Sequence, residues 1–95
     1  MDFLKELNIS DRTIDKIKEN NLPSAIRQFI CDKENATKII EYMDKIGIQV
    51  IDDLLIRRIE LFSIDYKKIE KAFSTFNIDV LVALINEDIS AINFL

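Results

Sequence analysis

The stretch MDKIGIQVIDD, residues 43–53, holds the only glycine of a 95-residue chain. Read backwards from Gly47, the segment NATKIIEYMDKI (residues 35–46) places Ile39, Ile40, Met43 and Ile46 three and four apart. That spacing is one face of a helix. Asn35 is suited to cap its start. Gly47 then falls just past the helix end, where the chain commonly turns left-handed and glycine, or failing that asparagine, is tolerated. In a Schellman ending the residue after the glycine packs back one turn, which pairs Ile48 with Met43.

The same grammar occurs twice more. FLKELNIS (residues 3–10) puts Asn8 in the place of the glycine, with Ile9 reaching back to Leu4. KAFSTFNID (residues 71–79) puts Asn77 there, with Ile78 reaching Phe73. Ser10 and Asp79 are expected to cap the helices that follow. After the second and third corners the match continues. Val50, Ile51, Leu54 and Leu55 follow Gly47 at offsets of 3, 4, 7 and 8, and Val80, Leu81, Leu84 and Ile85 follow Asn77 at the same offsets. The chain thus repeats itself at a spacing of 30 residues. The first corner fits this repeat loosely. Helical pairs repeating every 30 to 40 residues are the mark of an α-solenoid.

The expected fold is therefore all-α: a single helical domain over residues 1–95, of short helical hairpins stacked into a small solenoid-like bundle. Eight short helices are predicted, over residues 2–7, 11–20, 23–31, 36–46, 50–58, from Ser63 or Asp65 to Phe76, 80–86 and 89–94. Pro23 suits a first helical turn. Ala25, Ile26, Phe29 and Ile30 face inward in the third helix, and Ile69, Ala72, Phe73 and Phe76 share one side of the sixth. Strand readings fail because the apolar spacing is three and four and not two; DVLVALI (residues 79–85) alone could pass for a buried strand, but its cap and its repeat partner argue for a helix.

Composition bounds the function. Apolar residues make up 48% and charged residues 32%, as in a globular chain that orders itself. The net charge of −4 disfavours sequence-independent nucleic-acid binding, which relies on neutralising phosphates. Cys31 has no second cysteine to pair with and sits in the apolar stretch AIRQFICDK, so it is expected to be a buried, unreactive side chain. No run approaches about 18 apolar residues, and MDFLKELN lacks the layout of a signal peptide, which points to the cytoplasm and away from membranes. With no histidine, one cysteine and one glycine, the common zinc sites, thiol or serine triads and phosphate-binding loops have no residues to draw on, and no cofactor is expected. Asp52 and Asp53 diverge on a helix and read as solvated.

From residue 38 to residue 85 the text KIIEYMDKIGIQVIDDLLIRRIELFSIDYKKIEKAFSTFNIDVLVALI resembles repeats of the mitochondrial transcription termination factor (mTERF) family. YMDKIGIQ matches the family's first helix and its Gly stop. RRIELFSID resembles the segment after the second helix, with Glu60, Leu61 and Phe62 in place and Ile59 where the family has proline. NNLPSAIRQF resembles the corresponding segment of the first unit in its Pro23, with the rest altered. The resemblance implies an α-helical repeat fold and nucleic-acid binding through a basic face. Family members usually carry many more repeats than the two to three units here.

Two surfaces stand out for function. Arg57, Arg58, Lys67, Lys68 and Lys71 give residues 57–71 a local net charge of +2, with Tyr66 among them. They are the nucleic-acid candidate, either as an mTERF-like stripe or beside a helix-turn-helix over residues 10–30; a solvated polar face is the competing reading. The apolar surplus is the second clue. A short solenoid has two raw ends, and SAINFL places Phe94 and Leu95 at one of them. A protein partner or a second copy of the chain is expected to cover such an end. The overall expectation is a non-enzymatic helical interaction module, with nucleic-acid binding as the alternative.

Overall fold

Leu4, Met43 and Phe73 are fully buried, each within the last turn of its helix, and they mark the first helices of three consecutive units. A computed structural model describes residues 1–94, without the side chain of Phe94; Leu95 lies outside the described residues. The first unit is α1 (Asp2–Glu6), α2 (Asp11–Asn20) and α3 (Pro23–Cys31). The second is α4 (Lys33–Ile46), α5 (Ile51–Arg57) and a 3-10 helix (Ile59–Ser63). The third is α6 (Tyr66–Ser74), α7 (Ile78–Glu87) and a second 3-10 helix (Ile89–Phe94). No strand occurs among the described residues, so the fold is all-α. Its radius of gyration is 12.6 Å, close to the roughly 12.4 Å of a compact domain of this length.

The main packing partners are α2 with α5, α3 with the first 3-10 helix, α7 with the second 3-10 helix, and α4 with α6. The longest helix, α4, also meets α3, α5, α7 and the first 3-10 helix. It can do so because Ala36, Ile39, Ile40 and Met43 form one buried stripe. Aromatic rings join the units. Phe29 stands edge-on to Phe62 at 6.2 Å and tilted against Phe3 at 5.4 Å, tying α1 and α3 to the first 3-10 helix. Tyr42 on α4 meets Tyr66 and Phe73 on α6 at 6.0 and 5.9 Å.

Two of the three expected corners form. Gly47 has φ +98°, with its N–H donating to Asp44 O and that of Ile48 to Met43 O, at 3.1 and 3.0 Å. Those are the two bonds of a Schellman ending. Asn8, at φ +66°, repeats it: its N–H donates to Lys5 O and that of Ile9 to Leu4 O, at 3.1 and 3.0 Å. Asn77 does not; its φ is −70° and its side chain accepts from Val80 N, so it caps the start of α7. The reason lies upstream. The α6 helix stops at Ser74, and the N–H groups of Thr75 and Phe76 already occupy its last carbonyls. Asp79 therefore sits inside the first turn and is not the cap.

Ser10, Pro23 and Asp65 occupy their expected helix-start positions, Ser10 accepting from Thr13 N and Asp65 from Lys67 N. Asn35 is displaced: α4 begins two residues earlier, at Lys33, and frees the amide for a distant contact. The segment Ile59–Ser63, expected as a connection, is helical and buries Ile59, Leu61 and Phe62. Cys31 is exposed, contrary to expectation. The α3 helix points Phe29 at the core, and a residue two places further along a helix lies roughly 200° around it. Ile30 is likewise 39% exposed at the end of that helix.

Candidate interaction surface

Asparagine side chains fasten the units. Asn35 Oδ1 accepts from Tyr66 N at 2.9 Å, and its Nδ2 donates to Ile64 O at 2.7 Å and Phe62 O at 3.4 Å. Asn21 Nδ2 bridges Ile17 O and Ile56 O. Asn86 closes on the Gly47 corner, donating to Gly47 O and accepting from Gln49 N. Asp52, expected to be merely solvated, accepts from buried Thr13 at 2.9 Å and ties α5 to α2. The asparagine bonds satisfy backbone groups between units, and those of Asn86 tie α7 to the corner that ends α4.

That seating decides what α7 exposes. Gly47 lies beneath Val82, whose Cγ1 is 3.8 Å from where a Cβ would stand. Leu81, Val82 and Ile85 are buried. Val80 and Leu84 point the other way, at 55% and 44% exposed. Their repeat counterparts in the second unit behave differently: Leu54 is fully buried and Val50 half-buried. Phe76, expected at the end of α6 on one side with Ile69, Ala72 and Phe73, lies beyond that helix and is 44% exposed. Together Phe76, Val80 and Leu84, with Asn77 and Leu81, line an almost wholly apolar groove of about 240 Å³.

The five cations do not form one stripe. Lys67, Lys68 and Lys71 share the exposed face of α6, since residues three and four apart on a helix are neighbours. Arg57 and Arg58 line a separate cleft with Asp88, Ser90 and Asn93. Arg58 is engaged there: its Nε is 2.6 Å from Glu60 Oε1, and its fork also donates to Asn93. Hydrogen bonds from Ser90 hold the Asp88 carboxyl below its usual range. The expected apolar end at Phe94 and Leu95 falls on a side chain and a residue outside the described set. The groove on α7 was not singled out from sequence; the exposed positions there look the same as the buried ones thirty residues earlier.

A cleft of about 620 Å³ with mixed lining is bounded by residues including Lys38, Tyr42, Lys45, Tyr66 and Glu70. Tyr66 donates to Glu70 at 2.6 Å, and that bond raises its pKa. Tyr42 is raised mainly by burial, with the Glu70 charge adding to it. Both phenols are held in the neutral form at pH 7, so neither supplies a base there. Among the described residues no three His, Cys, Asp or Glu side chains come together as a metal site, and no helix is long and apolar enough to cross a membrane. Comparison with protein-family models, with curated proteins and with solved structures finds no match.

Proposed function

We propose that this chain is a non-enzymatic helical interaction module that binds protein through the exposed face of α7. One observation carries the reading. The apolar positions Val80 and Leu84 repeat the pattern of Val50 and Leu54, yet lie open beside Phe76. Contiguous exposed apolar surface on a small domain is commonly a contact site. The absence of histidine supports a role without catalysis. The cytoplasm is the proposed compartment, in keeping with a lone, exposed thiol.

A second reading is nucleic-acid binding, the function that the mTERF resemblance implies. It draws support from Lys67, Lys68 and Lys71, which share one face of α6 and make none of the ion pairs among the described residues. Against it stands the net charge of −4, which repels a polyanion. Titration with duplex and single-stranded oligonucleotides over a salt series separates the two. A protein-binding module shows no tight binding at physiological salt. Tight binding that weakens steeply with salt and disappears in a Lys67→Ala, Lys68→Ala, Lys71→Ala variant overturns it.

A further inference from the structure

We infer that the groove of Phe76, Val80 and Leu84 receives an amphipathic helix whose apolar stripe is flanked by Lys or Arg. The inference rests on the protein-binding reading above and specifies the partner. Its first support is the charge around the groove. On a helical wheel Glu87 falls one turn beyond Leu84 on the same stripe, and Asp79 flanks Val80. Asp79 and Glu87 are exposed, and no base occurs from residue 72 to residue 95; Asp88 belongs to the separate cleft of Arg57 and Arg58. The groove itself is apolar, with Asp79 beside it on α7 and Glu87 one turn beyond Leu84. An occupant that places cations there gains complementarity, and one with carboxylates there meets like charge.

The same charges argue against a second copy. In an antiparallel pairing of α7 on itself, Glu87 and Asp88 of one copy fall over Asn77 and Phe76 of the other. A parallel pairing sets Glu87 against Glu87. Neither brings a base to the groove. Stacking head-to-tail onto α2 fares no better, because its exposed side of Asp11, Arg12, Asp15, Lys16, Lys18 and Glu19 has no apolar residue to meet Val80 and Leu84; the exposed apolar residues of the first unit, Leu22 and Ile30 of α3, stand roughly two turns apart, where Val80 and Leu84 are one turn apart. Nucleic acid and anionic lipid are repelled by the same rim.

The form of the occupant follows from the fold. The described residues offer no sheet edge, so strand addition is excluded. Val80 and Leu84 are one turn apart, about 6 Å along the axis. That matches side chains at i and i+4 on a facing helix. Within the chain, helix faces of this kind are met by helices, as α6 meets α4.

The test uses the full chain, uniformly labelled with ¹⁵N, and two synthetic helical 16-residue peptides. Both carry leucines at i, i+4 and i+7; one has lysines at the flanks and the other glutamates. Binding is followed by fluorescence anisotropy and mapped by amide shifts. The lysine peptide is expected to bind saturably, to shift amides in 76–88, and to bind at least about tenfold more tightly than the glutamate peptide. Leu84→Asp and Val80→Asp are expected each to lower its affinity by about tenfold or more. Both sites are exposed, and retained helicity by circular dichroism confirms folding. Asp79→Asn with Glu87→Lys is expected to erase the preference between peptides. Equal binding of both peptides at 76–88 overturns the basic partner and leaves the protein-binding module standing. Dimerisation in sedimentation that Leu84→Asp abolishes, with neither peptide bound, shows a second copy to be the occupant and also overturns it. If neither peptide shifts 76–88 and the chain stays monomeric, the inference falls, and the module reading is decided separately by the oligonucleotide titration above.

Discussion

Replacing Gly47 by alanine isolates the cost of a left-handed backbone. The residue has φ +98° and ψ 17°. An added Cβ would meet its nearest neighbour, Val82 Cγ1, at 3.8 Å, an ordinary van der Waals distance. Collision therefore contributes little, and the penalty is conformational. An L-residue held left-handed costs roughly 1–2 kcal/mol, and a β-branched one more. For a domain of this size each kcal/mol lowers the melting temperature by about 4–8 °C. Gly47→Ala should therefore lose about 1–2 kcal/mol in urea denaturation, Gly47→Val should lose more, and Gly47→Asn should lose least. Asn8 supplies the reciprocal experiment, because it already sits at φ +66°. Asn8→Gly relieves that residue's residual strain and should be neutral or slightly stabilising, whereas at an ordinary helix position glycine costs about 1 kcal/mol relative to alanine. If Gly47→Ala were as stable as the parent, or Asn8→Gly lost about 1 kcal/mol, the left-handed corners would not be what ends these helices.

Three further outcomes follow from the packing. Asn35→Ala strands Tyr66 N–H and the carbonyls of Phe62 and Ile64, and should cost about 1–3 kcal/mol; Asn20→Ala, whose amide makes only one exposed bond within its own helix, should be far milder by the same denaturation assay. Cys31 is exposed and should react with a thiol reagent at the rate of a free thiol without denaturant; slow labelling would mean that α3 is rotated. The phenol pKa values of Tyr42 and Tyr66 are raised in the folded chain, so their contribution to stability is complete below about pH 10 and is lost as pH rises through the folded values. Melting temperatures measured from pH 8 to pH 12 should fall, and Tyr66→Phe with Tyr42→Phe should flatten that alkaline limb.

The corners at Asn8 and Gly47 were legible because a Schellman ending is local chemistry, written within six residues. Asn77 carries the same neighbours and was misread. Whether such a residue ends one helix or starts the next depends on where α6 stops, which its packing on α4 and α7 decides. The fastening roles of Asn35 and Asn86 could not be read, since their partners lie 27 to 39 residues away. The exposed groove was hidden for a similar reason. Val80 and Leu84 spell the same pattern as Val50 and Leu54, and an apolar stripe says that a helix face needs cover without saying whether its own chain provides it. The lysines of α6 were legible as a charged face, but the separation of Arg57 and Arg58 from them required the turn at residues 58–65.

The claim that α7 presents the binding face is tested most directly by selecting random 16-residue peptides displayed on phage against the parent protein, with counter-selection on Leu84→Asp. Peptides that survive should converge on leucine-type residues at helical spacing with Lys or Arg outside them. Each should compete with the others for amides in 76–88, and none should compete through the lysines of α6. Selection that yields no consensus, or a consensus that binds Leu84→Asp as well as the parent, would contradict the assignment of this face.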